Sequence, residues 1–579
     1  MQHLVGAIAD SLSLDYQARC IQYSESCNFA EKGVVYSVEI NSRSTFKKEF
    51  RFPDSTHCMV IGDIINPGAI TDLVEDLNKG CPTDYYSLCK SRFIENNDKI
   101  NGVFCVILIN ILHKKVFIIS DPNGIIPIYY SCNSKVFIFS NSIQTILTVQ
   151  NRKQHLNTHA IYELFKFGFS IPPDTLFEDV KALPPGDILE YNGSVIISKR
   201  SEKEFALCTM TLQEAADEYF RLFEQSLLKR VEHKKHVALL LSGGVDSAAI
   251  AAILHKHHIP VKCYTLDCNP DNPVEIIGAK KVCELLHLEH KTIDCIDGDI
   301  ISCLYRVTMH NEAPVSNGVM EYALCEAIDK QTGVVLTGDG NDLIWGILPI
   351  QIEEMSKQPE YQFSNLYLRL RSHVSDQILE KLFLLPIDTH YLHTKINTFY
   401  NDTGNFLKDA SDADAKLFGS SYAFSSVGKL KINPSQILFR FPYLDHHIES
   451  FIHNLPNSFK QYNHTHTPVI YKYLFKYALE QKKILPKEII HTEKTWMYSP
   501  NALWLRENIK KEFEAIVFNP SAAICKYFNI DTLKEIWRLH SEQKQNFSHL
   551  LMLILQLEMW HYCQCAKDLH HWNPVFYSI

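Results

Sequence analysis

The chain has 579 residues, 46% of them hydrophobic and 21% charged, with a formal net charge of -9. That length exceeds what one core supports and the composition excludes a disordered chain, so two or more globular domains are expected. The acidic balance argues against a nucleic-acid partner, and no apolar run reaches membrane-spanning length.

Residues 1–205 read as a β-rich domain. Segments 34–40, 103–109 and 115–120 are short β-branched runs bounded by Gly, Asn, Asp or Pro, with few helical patterns between them. Residues 183–194 read as closing turns, with Pro184, Pro185, Gly186 and Asn192-Gly193 as breakers. The period then changes. A helical pattern over 212–229 precedes an apolar strand at 237–241, a Gly-rich turn, a helix at 248–255, a strand at 261–266, a helix near 276–286 and a strand at 334–337. This alternation predicts an α/β fold over 206–579 with a doubly wound parallel sheet, whose ligands sit beyond the carboxyl ends of the strands. Helical patterns dominate from Asn365 onward, including 478–482 and 547–558. The opening residues Met1 to Gly6 lack a basic stretch followed by an apolar one, so no secretion signal and a cytoplasmic location are expected. Seventeen cysteines are scattered without paired Cys-x-x-Cys spacing, Cys563-Gln564-Cys565 being the only tight pair. They predict free thiols in a reducing compartment.

Ser242-Gly243-Gly244-Val245-Asp246-Ser247 follows an apolar strand and opens a helix. Two glycines let the backbone curl so that amide N–H groups converge on phosphate oxygens, and Ser242 and Ser247 add hydroxyl donors. A carboxylate inside an anion-binding loop makes chemical sense as a Mg²⁺ ligand, which assigns Asp246. No Gly-Lys-Ser/Thr follows, so this is not the Walker loop.

The hexapeptide resembles the pyrophosphatase loop of enzymes that split ATP between its α- and β-phosphates and adenylate a substrate. Val334-Val335-Leu336-Thr337-Gly338-Asp339-Gly340-Asn341-Asp342 resembles the second signature of the asparagine synthetase superfamily. Arg440-Phe441-Pro442-Tyr443-Leu444-Asp445 is similar to that family's Arg-x-Pro-Phe-Leu-Asp stretch, although Asp445 could equally cap a helix starting at His446. Leu485-Pro486-Lys487-Glu488-Ile489, with Glu493-Lys494-Thr495 after it, resembles the family's terminal lysine segment, and Asn311-Glu312-Ala313-Pro314 its acidic-x-Pro element. The resemblance spans roughly 212–500. It implies ATP and Mg²⁺ as cofactors, with Asp246 and Asp342 sharing the metal. It further implies ATP contacts from Leu241, Ser242, Gly243, Gly244, Val245, Asp246, Ser247, Leu266, Thr337 and Gly338. Lys494 would stabilise negative charge as pyrophosphate leaves.

Asn101-Gly102-Val103-Phe104, the stretch Asp121 to Tyr130, Phe137 to Asn141, Thr175-Leu176-Phe177 and Leu183-Pro184-Pro185-Gly186 look like parts of a class II glutamine amidotransferase domain. Working members use an N-terminal Cys with its α-amine as base. Here position 2 is Gln2 and the first cysteine is Cys20, so no glutamine hydrolysis is expected. Loss of that cysteine resembles ring-closing members: β-lactam synthetases, carbapenam synthetases and lasso-peptide macrolactam synthetases. The family has Glu between the signature glycines in asparagine synthetases and Tyr in β-lactam synthetases. Asp339 stands there and could orient or deprotonate the amine, or merely end a strand. The resemblance therefore favours macrolactam closure of a lasso-type precursor, with a peptide or small-molecule carboxylate as substrate and a leader-peptide protease as a possible partner. An ammonia-dependent or natural-product amide synthetase is the alternative. A noncatalytic scaffold is a further one, opposed by the retained Asp246, Asp342 and Lys494. Argininosuccinate-type and tRNA-thiolating users of the loop are a third, the latter opposed by the acidic balance and scattered thiols.

Overall fold

A computed structural model describes residues 3–9, 28–31, 34–39, 46–78, 83–96, 99–134, 136–151, 155–199, 208–268, 273–294, 299–315, 318–346, 362–385, 388–404, 406, 409–410, 412–417, 419, 437–462, 470–492 and 499–565. Lys494 lies outside the described residues, as do Met1, Gln2 and Cys20.

The first 200 residues contribute β1 (His3–Ala9), β2 (Asn28–Glu31), β3 (Val34–Glu39), β4 (Phe46–Arg51), β5 (Thr56–Ile64), β6 (Gly102–Asn110), β7 (Lys115–Ser120), β8 (Tyr129–Cys132), β9 (Val136–Ser140), β10 (Lys181–Ala182), β11 (Ile188–Tyr191) and β12 (Val195–Ser198). They form two antiparallel sheets, ordered β10-β8-β9-β1-β3-β2 and β12-β11-β7-β6-β5-β4. Side chains alternate across each strand, and the burial follows that period. On β1, Leu4 and Ile8 join Phe137 and Phe139 in the core between the sheets, while Val5 and Ala7 face the opposite layer. Gly6 sits on the inner face because the Phe139 ring fills the space a Cβ would need, 2.3 Å away.

Helices cover both outer faces, which the sequence signals in this half do not announce. α1 (Pro67–Asn78) and α2 (Tyr85–Asn96) pack Ile70, Val74 and Phe93 against Val60, Phe104 and Val106. α3 (Ile143–Gln150) and α4 (Thr158–Phe167) cover the β1 sheet. The segment expected to be only closing turns instead carries β11, which pairs with β7 and forms a hairpin with β12 around Asn192-Gly193.

The remaining strands, β13 (Val237–Leu240), β14 (Val261–Asp267), β15 (Glu289–Asp294), β16 (Val334–Thr337) and β17 (Phe439–Arg440), form a parallel sheet in the order β15-β14-β13-β16-β17. Around it run α5 (Leu212–Val231), α6 (Val245–Lys256), α7 (Val274–Leu286), α8 (Ile300–Asn311), α9 (Gly318–Ala327) and α10 (Asn341–Trp345). Farther along come α11 (Thr389–Asn397), α12 (His446–His453), α13 (Tyr473–Gln481) and α14 (Ser548–Cys565). Strand β13 is apolar at every position because both faces are covered: Val237 and Leu239 meet α5 and α6, and Ala238 meets Cys325 and Ile328 across the sheet. The chain winds outward from β13 through β14 to β15, then returns to place β16 on β13's other side. The two signature loops thus emerge side by side where the winding reverses.

Polar contacts tie the sandwich to the parallel sheet. Arg230 on α5 is buried and donates to Asp445 at 2.8 Å, and Asn101 donates to the same carboxylate at 2.6 Å. Arg440 forms a two-pronged pair with Asp63 at 2.7 and 2.9 Å. Lys395 on α11 bridges Glu163 at 2.6 Å and Asp174 at 2.7 Å. Glu312, in the stretch that resembles the family's acidic-x-Pro element, supports the start of α3, accepting from the backbone N–H groups of Ile143 at 2.8 Å and Gln144 at 3.2 Å.

In the helical layer, His549 on α14 lies against His373, the rings tilted by 30° with centroids 4.2 Å apart. Burial first, and the neighbouring His373 second, push its pKa down to about 3. Burial and Arg506 hold His540 down at about 4. Both rings are therefore neutral in the fold, whereas the unfolded chain binds their protons below roughly pH 6.5. Their stabilisation is complete above that pH and is lost as pH falls toward 4 and then 3. Thermal melts should drop steeply between pH 6.5 and 4, and His549→Phe should flatten that drop. An equal slope in the variant would dismiss the assignment.

Candidate active site

The loop after β13 owes its shape to its glycines. Gly243 has φ +75, and a Cβ there would lie 2.7 Å from the Ala279 nitrogen and 2.8 Å from the Glu275 carbonyl oxygen of α7. The loop and α7 therefore touch backbone to backbone, with Gly278 as the facing residue. Gly244 caps α6, so the loop opens directly onto a helix N-terminus. Ser247 Oγ accepts from the Ser242 N–H at 3.2 Å and lies 3.4 Å from Ser242 Oγ, closing the turn.

The second loop leaves β16 beside it. Gly338 abuts Asp246, since a Cβ there would meet Asp246 Cβ at 3.3 Å. Gly340 has φ +92 and is packed by the Leu444 side chain. The Asp339 N–H donates to Thr337 Oγ1 at 3.2 Å, and Asp339 itself is half-buried. From there α10 presents Asn341 and Asp342 to the first loop.

The carboxylates expected to act together do converge. Lys472, the N-cap of α13, places Nζ 2.7 Å from Asp246 Oδ2 and 2.7 Å from Asp342 Oδ1. Asn341 Nδ2 donates to Asp246 Oδ1 at 2.7 Å, and the Tyr443 hydroxyl donates to the Asp246 carbonyl at 2.8 Å. Burial alone would lower Lys472, but Asp246 and Asp342 outweigh it and hold its pKa above the usual lysine value. Leu241 extends β13 by donating to the Tyr264 carbonyl at 2.9 Å, and its own carbonyl accepts from Thr265 Oγ1 at 2.6 Å. Leu266, half-buried, is the next-to-last residue of the neighbouring β14.

Asp445 caps α12 through the His447 N–H at 3.0 Å and is held by Arg230 and Asn101. Its role in the fold is structural. Asn341 and Tyr443 lie inside the two signature stretches without a role assigned to them there, and Lys472 carries no sequence signal of its own. Lys472 is one lysine in a tyrosine-rich stretch, 226 residues from the carboxylate it meets.

Residues 218–562 match the family described as asparagine synthase, more than half of the chain. The chain belongs to the asparagine synthase family. Residues 94–201 match a glutamine amidotransferase domain. An asparagine synthetase (glutamine-hydrolyzing) 1 of Bacillus subtilis is 20% identical over 514 residues, covering 82% of this chain and 79% of the relative. The corresponding chicken (Gallus gallus) protein is 22% identical over 410 residues, covering 68% and 62%. An amidase, chry2, of Gibberella zeae is 19% identical over 502 residues, covering 72% of each. Among solved structures, the glutamine phosphoribosylpyrophosphate amidotransferase of B. subtilis aligns with a TM-score of 0.22 and 11% identity, over 50% of this chain and 65% of that one. An NH3-dependent NAD synthetase of Campylobacter jejuni aligns with a TM-score of 0.18 and 20% identity, over 24% and 63%. As a member of the asparagine synthase family, the chain is an ATP-dependent carbon–nitrogen ligase. Among the described residues no helix is long and apolar enough to cross a membrane, and eleven cysteines are free.

Proposed function

We propose that this ligase activates a carboxylate as an acyl-adenylate, releasing pyrophosphate, and then joins it to an amine of the same substrate, expelling AMP and closing a macrolactam of the lasso-precursor kind. The observation that carries the adenylation step is the convergence of Asp246 and Asp342, from two strand ends, beside a glycine loop that opens a helix. Two acids that already share one cationic nitrogen at 2.7 Å each fit a divalent cation. Asp246 and Asp342 would hold Mg²⁺, which supplies neutralisation of phosphate charge when bound. Gly243 and Gly244 would let loop N–H groups reach phosphate oxygens, and Ser242 and Ser247 would add hydroxyls. Asp339, one residue past the Gly338 that abuts Asp246, would orient the attacking amine.

Ring closure without glutamine is in keeping with the thiols of the sandwich's described residues. Glutamine hydrolysis needs a reactive thiolate. Burial pushes the thiols of Cys58, Cys89 and Cys105 well above the ordinary cysteine value, and Cys132, at a strand end, is raised as well. An amine carried on the substrate would make external ammonia unnecessary, and holding both ends in one pocket is worth up to about 7–11 kcal/mol of barrier. A leader-peptide protease would then supply the free amine. An asparagine-synthetase-like reaction with ammonia is the second reading, favoured by relatives matched over most of their length.

Incubation with ATP and a lasso-type precursor peptide should release AMP and pyrophosphate and give a product lighter by one water. Aspartate with ammonia should give little, and glutamine should yield no glutamate. ADP and phosphate as products would overturn the adenylation. Asparagine formation would decide for the second reading, and glutamate formation would restore the sandwich as a glutaminase.

A further inference from the structure

Lys472 stands under three unfavourable conditions at once. Its side chain is buried, the residue being 9% exposed. Its backbone is left-handed at φ +53, a conformation that disfavours a residue with a side chain. It also sits at the N-cap of α13, where the helix presents its positive end to a positive charge. Two carboxylates at 2.7 Å offset these penalties. Asn341 fixes the arrangement by donating to Asp246 Oδ1, which turns Oδ2 toward the lysine. A conformation held against so many local preferences points to a function at that position.

We propose that Lys472 is a positioning residue that makes cation capture by Asp246 and Asp342 conditional on nucleotide. The inference rests on the reading of those two carboxylates as the cation-holding pair. The ammonium lies where both acids can reach it, so a divalent ion arriving alone must displace it or share the carboxylates with it. The three side chains together carry one net negative charge. A lone divalent ion would convert that to a net positive charge in a half-buried cleft, against direct repulsion from Nζ. A triphosphate changes the balance, because its oxygens offer the ammonium a new partner as the ion takes the carboxylates. Metal and nucleotide therefore enter together, and the ion does not reside in the cleft without phosphate.

The test uses Mn²⁺ alone as the probe, with the full chain, following bound Mn²⁺ by electron paramagnetic resonance. Wild type should bind Mn²⁺ weakly without nucleotide and about tenfold or more tightly with a non-hydrolysable ATP analogue. Lys472→Met should bind Mn²⁺ alone about tenfold more tightly than wild type, and Lys472→Arg, which keeps the charge, should not. Unchanged or weaker binding in Lys472→Met overturns the proposal. Should that variant fail to fold, wild type decides: equal Mn²⁺ affinity with and without the analogue overturns it equally. Asp342→Asn separates the two readings. If it retains the analogue-dependent Mn²⁺ binding, the cation-holding pair itself is wrong. If it loses that binding while Lys472→Met gains nothing, only the role of Lys472 falls.

Discussion

Asp246→Asn and Asp342→Asn are each expected to lower ATP-dependent pyrophosphate release by about 10³-fold, with the protein still folded. Each change removes one of the two charges that face Lys472 and leaves a side chain of nearly the same shape. An asparagine at 246 still offers one oxygen, so it can keep either the Asn341 or the Lys472 contact but not both in their present strength. Loss of a charged hydrogen bond to a buried ammonium costs about 1–3 kcal/mol, a modest shift in melting temperature for a chain of this size. Activity and stability therefore separate. The loss in rate comes from negative charge missing where phosphate charge must be managed, and the fold barely registers it. Pyrophosphate release and thermal melting on the same samples check this. Wild-type turnover in either variant would remove the pair from the chemistry, and collapse of the melt would make it a structural ion cluster.

The sequence exposed those two aspartates because each lies just past a strand that reads clearly. Strands β13 and β16 are central and covered on both faces, so Val-Ala-Leu-Leu and Val-Val-Leu-Thr are apolar almost throughout. The edge strand β15 has only Ile293 buried, and Glu-His-Lys-Thr-Ile-Asp gives no strand signal. Strand β17 is two residues long and exists because Val335 and Leu336 pair with Phe439 and Arg440. The same contrast holds at the site. Local spacing gives the glycine loop, Asp246, Asp342 and the Asp445 cap. It cannot give Lys472, nor the contact of Tyr443 with Asp246, which tertiary packing makes across about two hundred residues. Nor can it tell that Glu312 would support the start of α3 in the sandwich, since that carboxylate is read locally as part of a signature and only the assembled joint reveals its partners. Four helices of the first half escaped for a related reason: between strongly apolar strands their amphipathic patterns are short, and only packing on the sheet faces settles them.

Gly243→Ala and Gly244→Ala should part sharply despite their adjacency. At Gly243 the backbone lies at φ +75, and a methyl group would sit 2.7 Å from the Ala279 nitrogen, 2.8 Å from the Glu275 oxygen and 2.8 Å from the Gly278 carbonyl carbon. All three are backbone atoms of α7, which cannot rotate away as a side-chain tip can. The left-handed conformation costs about 1–2 kcal/mol and the overpacking about 1–3 kcal/mol more. Relief would require α7 to separate from the loop, and with it the Val282 and Cys283 packing that seats the helix on the sheet. At Gly244 the backbone lies at φ -75, and the nearest atom to a new Cβ is Ser242 Oγ at 3.5 Å. Alanine is tolerated there, with stability within about 1 kcal/mol of wild type. Thermal melts of the two variants, with ATP affinity measured by calorimetry, check the contrast. Gly243→Ala should melt several degrees lower and bind ATP far more weakly, because the loop N–H groups lose the support that aims them. A Gly243→Ala protein that melts with wild type would show that α7 can yield, and that the loop takes its form from something other than its contact with that helix.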